Sequence, residues 1–392
     1  MKTKTLIGII IAVILAVAIV AVVKNLGSGA AAAGRYVRAA ELCVANNQFA
    51  EAEELYKKAI EISPSAENIF ALAYFYDDIL RFEDAKEYYV RCLSMGLSDA
   101  NRSTVLNNLG HVSAGLNEFS EAEKAYAEAL KMRRQLAAKD PLSYQSRLAD
   151  TLNNLGTLLC DQGEYEMAEK YYKEALEIRS ELAKNDPDSY NSDLATTFNN
   201  LGTLHGDQGE YELAESYHKE ALELYKGLVA KDADTYNPDL ASSLNNMGVA
   251  YCDMMEYDKA EDCYNKALAI RRELAQTNPQ VYNPDLAMSL ANIGILYANK
   301  QKPDYGKAES CYNECLAIRR ALAAEHPQAW NPELANTLSN MAIFYQDHVP
   351  NKALSMQHAE EAIKILEDCS DSALALYARK SALSVLEWWM DK

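Results

Sequence analysis

The feature that most constrains this chain is a fixed internal period. The stretch Thr151 to Ala195, TLNNLGTLLCDQGEYEMAEKYYKEALEIRSELAKNDPDSYNSDLA, recurs with few changes on both sides of itself, and its glycine reappears as Gly110, Gly156, Gly202, Gly248 and Gly294, each 46 residues from the last. A period of this size marks stacked units, each burying its apolar face only against its neighbours. A chain of 392 residues overfills one compact core, whereas a stack grows by addition.

Within the unit, Leu152, Leu155, Leu158 and Leu159 fall at helical spacing. Tyr165, Ala168, Tyr172, Ala175, Leu176 and Ile178 do so again after a break at Asp161-Gln162-Gly163-Glu164. Each unit is therefore expected to be two amphipathic helices joined by a tight turn. The glycine ladder on the first helix, with Ala168, Ala214 and Ala260 on the second, supplies small residues where two backbones approach, and tyrosines fill the space around them. Asn237-Pro238-Asp239, Asn283-Pro284-Asp285 and Asn331-Pro332-Glu333 read as helix starts, with Asn as N-cap, Pro as first helical residue and an acid in the first turn.

These residues resemble the tetratricopeptide repeat. In its register the small position of the first helix is Ala40, Ala73, Gly110, Gly156, Gly202, Gly248, Gly294 and Ala342, which gives eight repeats. The first two, about residues 33–64 and 66–98, have near-standard length, and the rest carry 12 extra residues. That long form, with its LNNLG, is similar to the repeats of kinesin light chains and their bacterial relatives. The resemblance implies an all-α fold, a right-handed α-solenoid with its array over 35–371, and a function in holding protein partners. Ser372 to Met390 reads as an amphipathic helix, so 372–392 is expected to cap the last repeat through Leu374, Leu376, Tyr377, Leu383, Leu386 and Trp389.

Leu6 to Val23 is an uninterrupted apolar run of 18 residues flanked by Lys2, Lys4 and Lys24. Residues 1–23 are expected to form a single-pass transmembrane anchor rather than a cleaved signal peptide, because the candidate cleavage site, Ala30 to Ala33, lies well past Lys24. The nearest flanks favour an extracytoplasmic repeat domain. Residues 24–34, small and Gly-rich, read as a flexible linker.

The balance of 57 acidic to 38 basic residues, a formal charge of −19, disfavours nucleic acid as a partner. The eight cysteines form no CxxC or Cys/His cluster with zinc spacing, and most sit where other repeats carry Ala, Tyr or Gly, so they read as small core residues. No phosphate loop or serine elbow occurs. His205 and His218 replace aromatic core positions of one repeat, which reads as packing rather than chemistry. No catalytic residue, metal site or cofactor is expected.

The first helices would line a concave groove. The ladder Asn107, Asn153, Asn199 and Asn245 is expected to face it, each amide offering a donor and an acceptor to the backbone of an extended peptide. The adjacent ladder of Asn108, Asn154, Asn200, Asn246, Asn292 and Asn340 reads as inter-repeat hydrogen bonding. Asp161, Asp207 and Asp253 make one end of the groove acidic, and the absence of Lys or Arg from positions 107, 111, 153, 157, 199 and 203 argues against a clamp for a carboxylate. The expectation is a membrane-tethered scaffold that binds a peptide segment of a partner protein. Its alternative is a self-assembling solenoid that forms homo-oligomers.

Overall fold

A computed structural model of the chain describes residues 29–369 and 372–392. Among the described residues 17 α-helices follow one another, and within each of the two compact units named below successive helices pack as in an α-solenoid. Eight are first helices of a pair: α1 (Ala30–Ala45), α3 (Ala66–Asp78), α5 (Asp99–Gly115), α7 (Pro141–Asp161), α9 (Pro187–Asp207), α11 (Ala233–Asp253), α13 (Pro279–Asn299) and α15 (Pro327–Asp347). Their partners are α2 (Phe49–Ile62), α4 (Phe82–Leu93), α6 (Phe119–Lys139), α8 (Tyr165–Asn185), α10 (Tyr211–Val229), α12 (Tyr257–Thr277), α14 (Tyr305–Glu325) and α16 (Lys352–Ile365). A 3-10 turn, Leu366–Asp368, leads toward the last helix, α17 (Ala373–Met390). The helices group into two compact units, one ending at Leu158 and the other beginning at Leu159.

Helix starts lie earlier than the Asn-Pro pairs suggest. Pro238, Pro284 and Pro332 stand inside α11, α13 and α15, and the caps are upstream: Asp232 accepts from the Thr235 amide, while Pro279 and Pro327 take the first-turn positions. A proline this close to a helix start removes one main-chain bond in the opening turns, where few amides are paired in any case. The preceding turn therefore stays helical.

The turns between the two helices of a repeat share one backbone device. Asn117, Gly163, Gly209 and Met255, 46 residues apart, all adopt positive φ, between 59° and 78°. Glycine occupies this region freely, whereas a side chain costs about 1–2 kcal/mol there. Gly163 and Gly209 are thus turn residues, and Met255 carries strain that its neighbours avoid.

The glycines of the first helices are explained by rings rather than by touching backbones. A Cβ added at Gly110 would lie 2.7 Å from Tyr126, one at Gly248 2.6 Å from Tyr264, and one at Gly294 2.9 Å from Tyr312. At Gly202 the ring is that of His218, 2.6 Å away. Each aromatic lies on the glycine of its own pair, while Ala168, Ala214 and Ala260 on the second helices are fully buried.

The expected anchor at residues 1–23 lies outside the described residues. Among the described residues no helix is long and apolar enough to cross a membrane. These helices carry charged side chains on their outer faces, which a hydrocarbon core would leave unsolvated. The single-pass membrane localisation, with an extracytoplasmic repeat domain, is accordingly not supported and is withdrawn. The linker expected at 24–34 also needs correction, since α1 is already helical from Ala30 and buries Ala32 and Ala33. Successive alanines, the best helix formers, favour that start.

Helix α17 packs on α15 and α16, with Leu386 and Trp389, as expected, packed against the core, but its most buried positions are other ones. Ala375, Ala378, Ala382 and Val385 form its buried face, while Leu376, Tyr377 and Leu383 are exposed. Small residues allow a close helix approach, and the bulk on the other side then faces solvent. Ser339 donates to the Ala378 carbonyl at 3.0 Å, and Trp389 Nε1 donates to Ser355 at 2.8 Å, which fixes the helix at both ends.

Two substitutions test this account by urea unfolding. Gly248→Ala drives a methyl group into Tyr264 and should lower stability by about 1–3 kcal/mol, despite the better helix propensity of alanine. Met255→Gly should raise it by about 1 kcal/mol by relieving the positive φ. Unchanged midpoints for both would contradict the packing described.

Candidate partner-binding surface

The polar residues of the first helices divide into a buried seam and an exposed strip. The seam is built on an arginine of the second helix, Arg133, Arg179, Arg271 or Arg319, each buried. Its Nη1 donates to a main-chain carbonyl 14 residues on, those of Arg147, Asp193, Asp285 and Glu333, at 2.5 to 3.0 Å. It also donates to the hydroxyl 18 residues on, those of Thr151, Thr197, Ser289 and Thr337, at 2.5 to 2.7 Å. Burial pushes the Arg133 guanidinium down to about 10, with Asp150 opposing the shift, and lowers Arg271 as well. In the one repeat between Arg179 and Arg271 the slot holds Tyr225, whose hydroxyl pairs with that of Thr196 at 3.0 Å. The sequence reading missed this seam, although arginine returning in one register and being replaced by an aromatic, never by lysine, is its signal.

Asn107, Asn153, Asn199 and Asn245, expected to face a ligand, belong to the buried side. The Asn107 carbonyl oxygen accepts from Thr151 at 3.0 Å, that of Asn199 from Ser243 at 3.1 Å, and that of Asn245 from Asn292 at 3.1 Å. These amides join successive first helices. The neighbouring ladder, Asn108, Asn154, Asn200, Asn246 and Asn292, is the half-exposed one. Consecutive residues sit about 100° apart around a helix, so an assignment one position off exchanges the inward ladder for the outward one.

The exposed strip in the unit from Leu159 is carried by Asp161, Asp207, Asp253, Asn299 and Asp347, each the last residue of its first helix. One turn earlier stand Thr203, Val249 and Ile295, also exposed. Asp161, Asp207 and Asp253 are exposed, yet neighbouring protein takes part of their water shell. That partial desolvation raises all three carboxyls, and repulsion from Asp207 adds to the rise at Asp161 and Asp253. Asp207 accepts a weak bond from Cys160 Sγ at 3.9 Å. Among the described residues no basic group pairs with the three and none of them bonds the main chain of the turn, so turn chemistry does not account for them.

The other candidate groups are packed. Burial pushes the thiols of Cys160 and Cys252 up to about 11, which leaves little thiolate at neutral pH. His205 stacks on Tyr217 with ring centres 5.5 Å apart, and its Nδ1 lies 2.8 Å from Glu210. It fills the slot where Tyr251 and Tyr297 donate to Glu215 and Glu261, each at 2.9 Å. His218 rests on Gly202, with Nδ1 3.3 Å from the Asn199 carbonyl oxygen.

Tetratricopeptide-repeat sequence profiles match residues 33–65, 102–141, 147–227 and 239–321, more than half of the chain. The chain belongs to the tetratricopeptide repeat family. Among solved structures, the Cut9–Hcn1 hetero-tetramer of APC/C superposes with a TM-score of 0.54 at 17% identity, over 89% of this chain and 55% of that one. This chain thus spans about half the length of that neighbour. The apo form of RapI gives 0.53 at 15% identity, over 81% of this chain and 99% of that one. BtubC (BKLC) from P. vanneervenii is 24% identical over 64% of this chain and 92% of that one, with a TM-score of 0.45, which does not establish the kinesin-light-chain form of the repeat. No curated protein matches the sequence. Proteins built on tetratricopeptide repeats generally act as scaffolds for protein–protein interaction, and the fold is typically non-catalytic.

The buried histidine makes stability depend on pH. Burial lowers His218 from 6.5 to about 4, so the unfolded chain takes up its proton first as pH falls. Stability is lost between about pH 6.5 and 4 and is constant below, a contribution on the order of 3 kcal/mol. His218→Tyr, which restores the residue of neighbouring repeats, should flatten that part of the difference in urea midpoint against the parent chain. Parallel pH profiles for the two would refute the assignment.

Proposed function

We propose that this protein holds a partner protein through an extended, basic segment laid across the C-terminal ends of α7, α9 and α11, with Asp161, Asp207 and Asp253 as the contacts. The observation that carries this reading is where the carboxylates stand. A helix C-terminus already bears partial negative charge, so an acid in its last turn is unfavourable. Here the arrangement recurs in three successive repeats without a basic neighbour. A lysine or arginine from outside would relieve both the mutual repulsion and the unfavourable dipole term.

Spacing narrows the ligand. Successive first helices touch through side chains, as in the bond from Asn292 to Asn245, so they lie roughly 10 Å apart. A chain extended as polyproline II advances about 3.1 Å per residue and returns to the same face every third residue. A cationic residue at every third position therefore matches the ladder, and Val249 and Ile295 offer apolar contact beside it.

A labelled peptide of the pattern Lys-x-x-Lys-x-x-Lys tests this by fluorescence anisotropy. Binding should weaken as salt rises and fall by about tenfold in Asp161→Asn/Asp207→Asn/Asp253→Asn, since exposed pairs contribute about 0.2–1 kcal/mol each. The same variant should be more stable than the parent at pH 7, because the raised carboxyls cost the folded state at that pH. Equal binding by the variant, or tighter binding of an acidic peptide, would sink the proposal. A second reading, self-association, is favoured by the exposed Leu376, Tyr377 and Leu383 of α17. Sedimentation that is independent of concentration would dismiss it.

A further inference from the structure

The unit ending at Leu158 holds a cavity of about 270 Å³ between the N-terminal ends of α3 and α5 and the flank of α7. Phe70, Leu97 and Val105 supply an apolar floor, and Arg147, Asn101 and Thr104 stand around it. The Thr104 hydroxyl is already spent on the Ala100 carbonyl, at 3.2 Å. Arg147 is exposed, its guanidinium carbon 5.9 Å from the centre of the Tyr144 ring. Neither it nor the Asn101 side-chain amide has a hydrogen-bonding or acidic partner among the described residues. Arg133 lies close enough behind Arg147 for the two cations to repel, which adds to the positive potential at this wall.

Glu67 also lines the cavity and is held ionised by its own amide and the Ser65 hydroxyl. A dianion would meet that charge, so one negative group, placed toward Arg147, is the complement. Ordinary ligand pockets span about 300–1,000 Å³, so this volume suits a group the size of one residue and is too small for a nucleotide or a helix.

We infer that this cavity binds a monocarboxylate bearing a single aliphatic or aromatic group, with the acid on Arg147 and Asn101 and the apolar group on Phe70, Leu97 and Val105. Such a group comes either from the end of a peptide chain or from a free amino acid, whose ammonium would turn toward Glu67. The inference is independent of the aspartate strip, and each can fail without the other.

Methyl NMR of the chain, read at Leu97 and Val105, provides the test with N-acetyl-leucine, leucine and N-acetyl-leucinamide as probes. Saturable shifts with a Kd of about 1–10 mM are expected for the acids, a range proper to so few atoms. The amide should bind about tenfold more weakly, and Arg147→Gln should weaken the acids by a similar factor. Tighter binding of N-acetyl-leucine identifies a chain end as the ligand, and tighter binding of leucine a free amino acid. Asn101→Trp, at an exposed position, should close the mouth and remove the shifts. Equal binding of acid and amide, insensitivity to Arg147→Gln, persistence of the shifts in Asn101→Trp, or no saturable shift from any probe would each overturn the inference.

Discussion

Each junction built on Arg133, Arg179, Arg271 or Arg319 depends on a guanidinium sealed between the second helix of one repeat and the first helix of the next. The main-chain carbonyl and the hydroxyl that Nη1 meets are both on the following helix, so those two bonds cannot form within a single repeat. A buried charge without a carboxylate is costly. It is tolerable here because the acceptors are fixed by the helix that carries them, and it penalises any stacking in which they are displaced. Tyr225 meets the same requirement without a charge, which marks the slot as a joint rather than a site of chemistry.

The joint sorts the remaining polar residues. With arginine, hydroxyl and the inner asparagine ladder bonded to one another inside, the helix ends retain the outward acids. Those acids work against the fold: they sit on negative helix ends and repel one another. Residues that a protein keeps at a cost to stability are candidates for function, and this is a physical reason to look for a cationic partner there. The cavity by Arg147 is the converse case, a cation with no acidic partner among the described residues at the edge of an apolar hollow.

Much of this was legible in the sequence. The 46-residue step, the Leu and Ala-Tyr spacings and the turn at Gly163 identified two helices per repeat, because a repeated unit states the same periodicity several times over. The asparagines misled because periodicity marks positions that recur but not which way they point. Asn107 and Asn108 are both polar and both repeated, yet the first is buried in the seam and the second half-exposed at its edge. On α17 the bulky residues suggested a lid, and Leu386 and Trp389 do pack there, but the alanines make the fully buried face. The Asn-Pro pairs mimicked helix starts because proline is tolerated in any early turn.

The sequence by itself determined the all-α class, the two-helix repeat and the small positions, since these follow from local propensity and from a period long enough to be read without a structure. It also determined that the strip at Asp161, Asp207 and Asp253 would be acidic. Only the tertiary structure decided that an arginine is buried at each of four joints, that the inner amides are consumed by the stack and that Arg147 overlooks a cavity. These outcomes depend on how neighbouring helices cross, which sets which side of each helix is covered, and that angle arises from contacts between repeats rather than from any one of them.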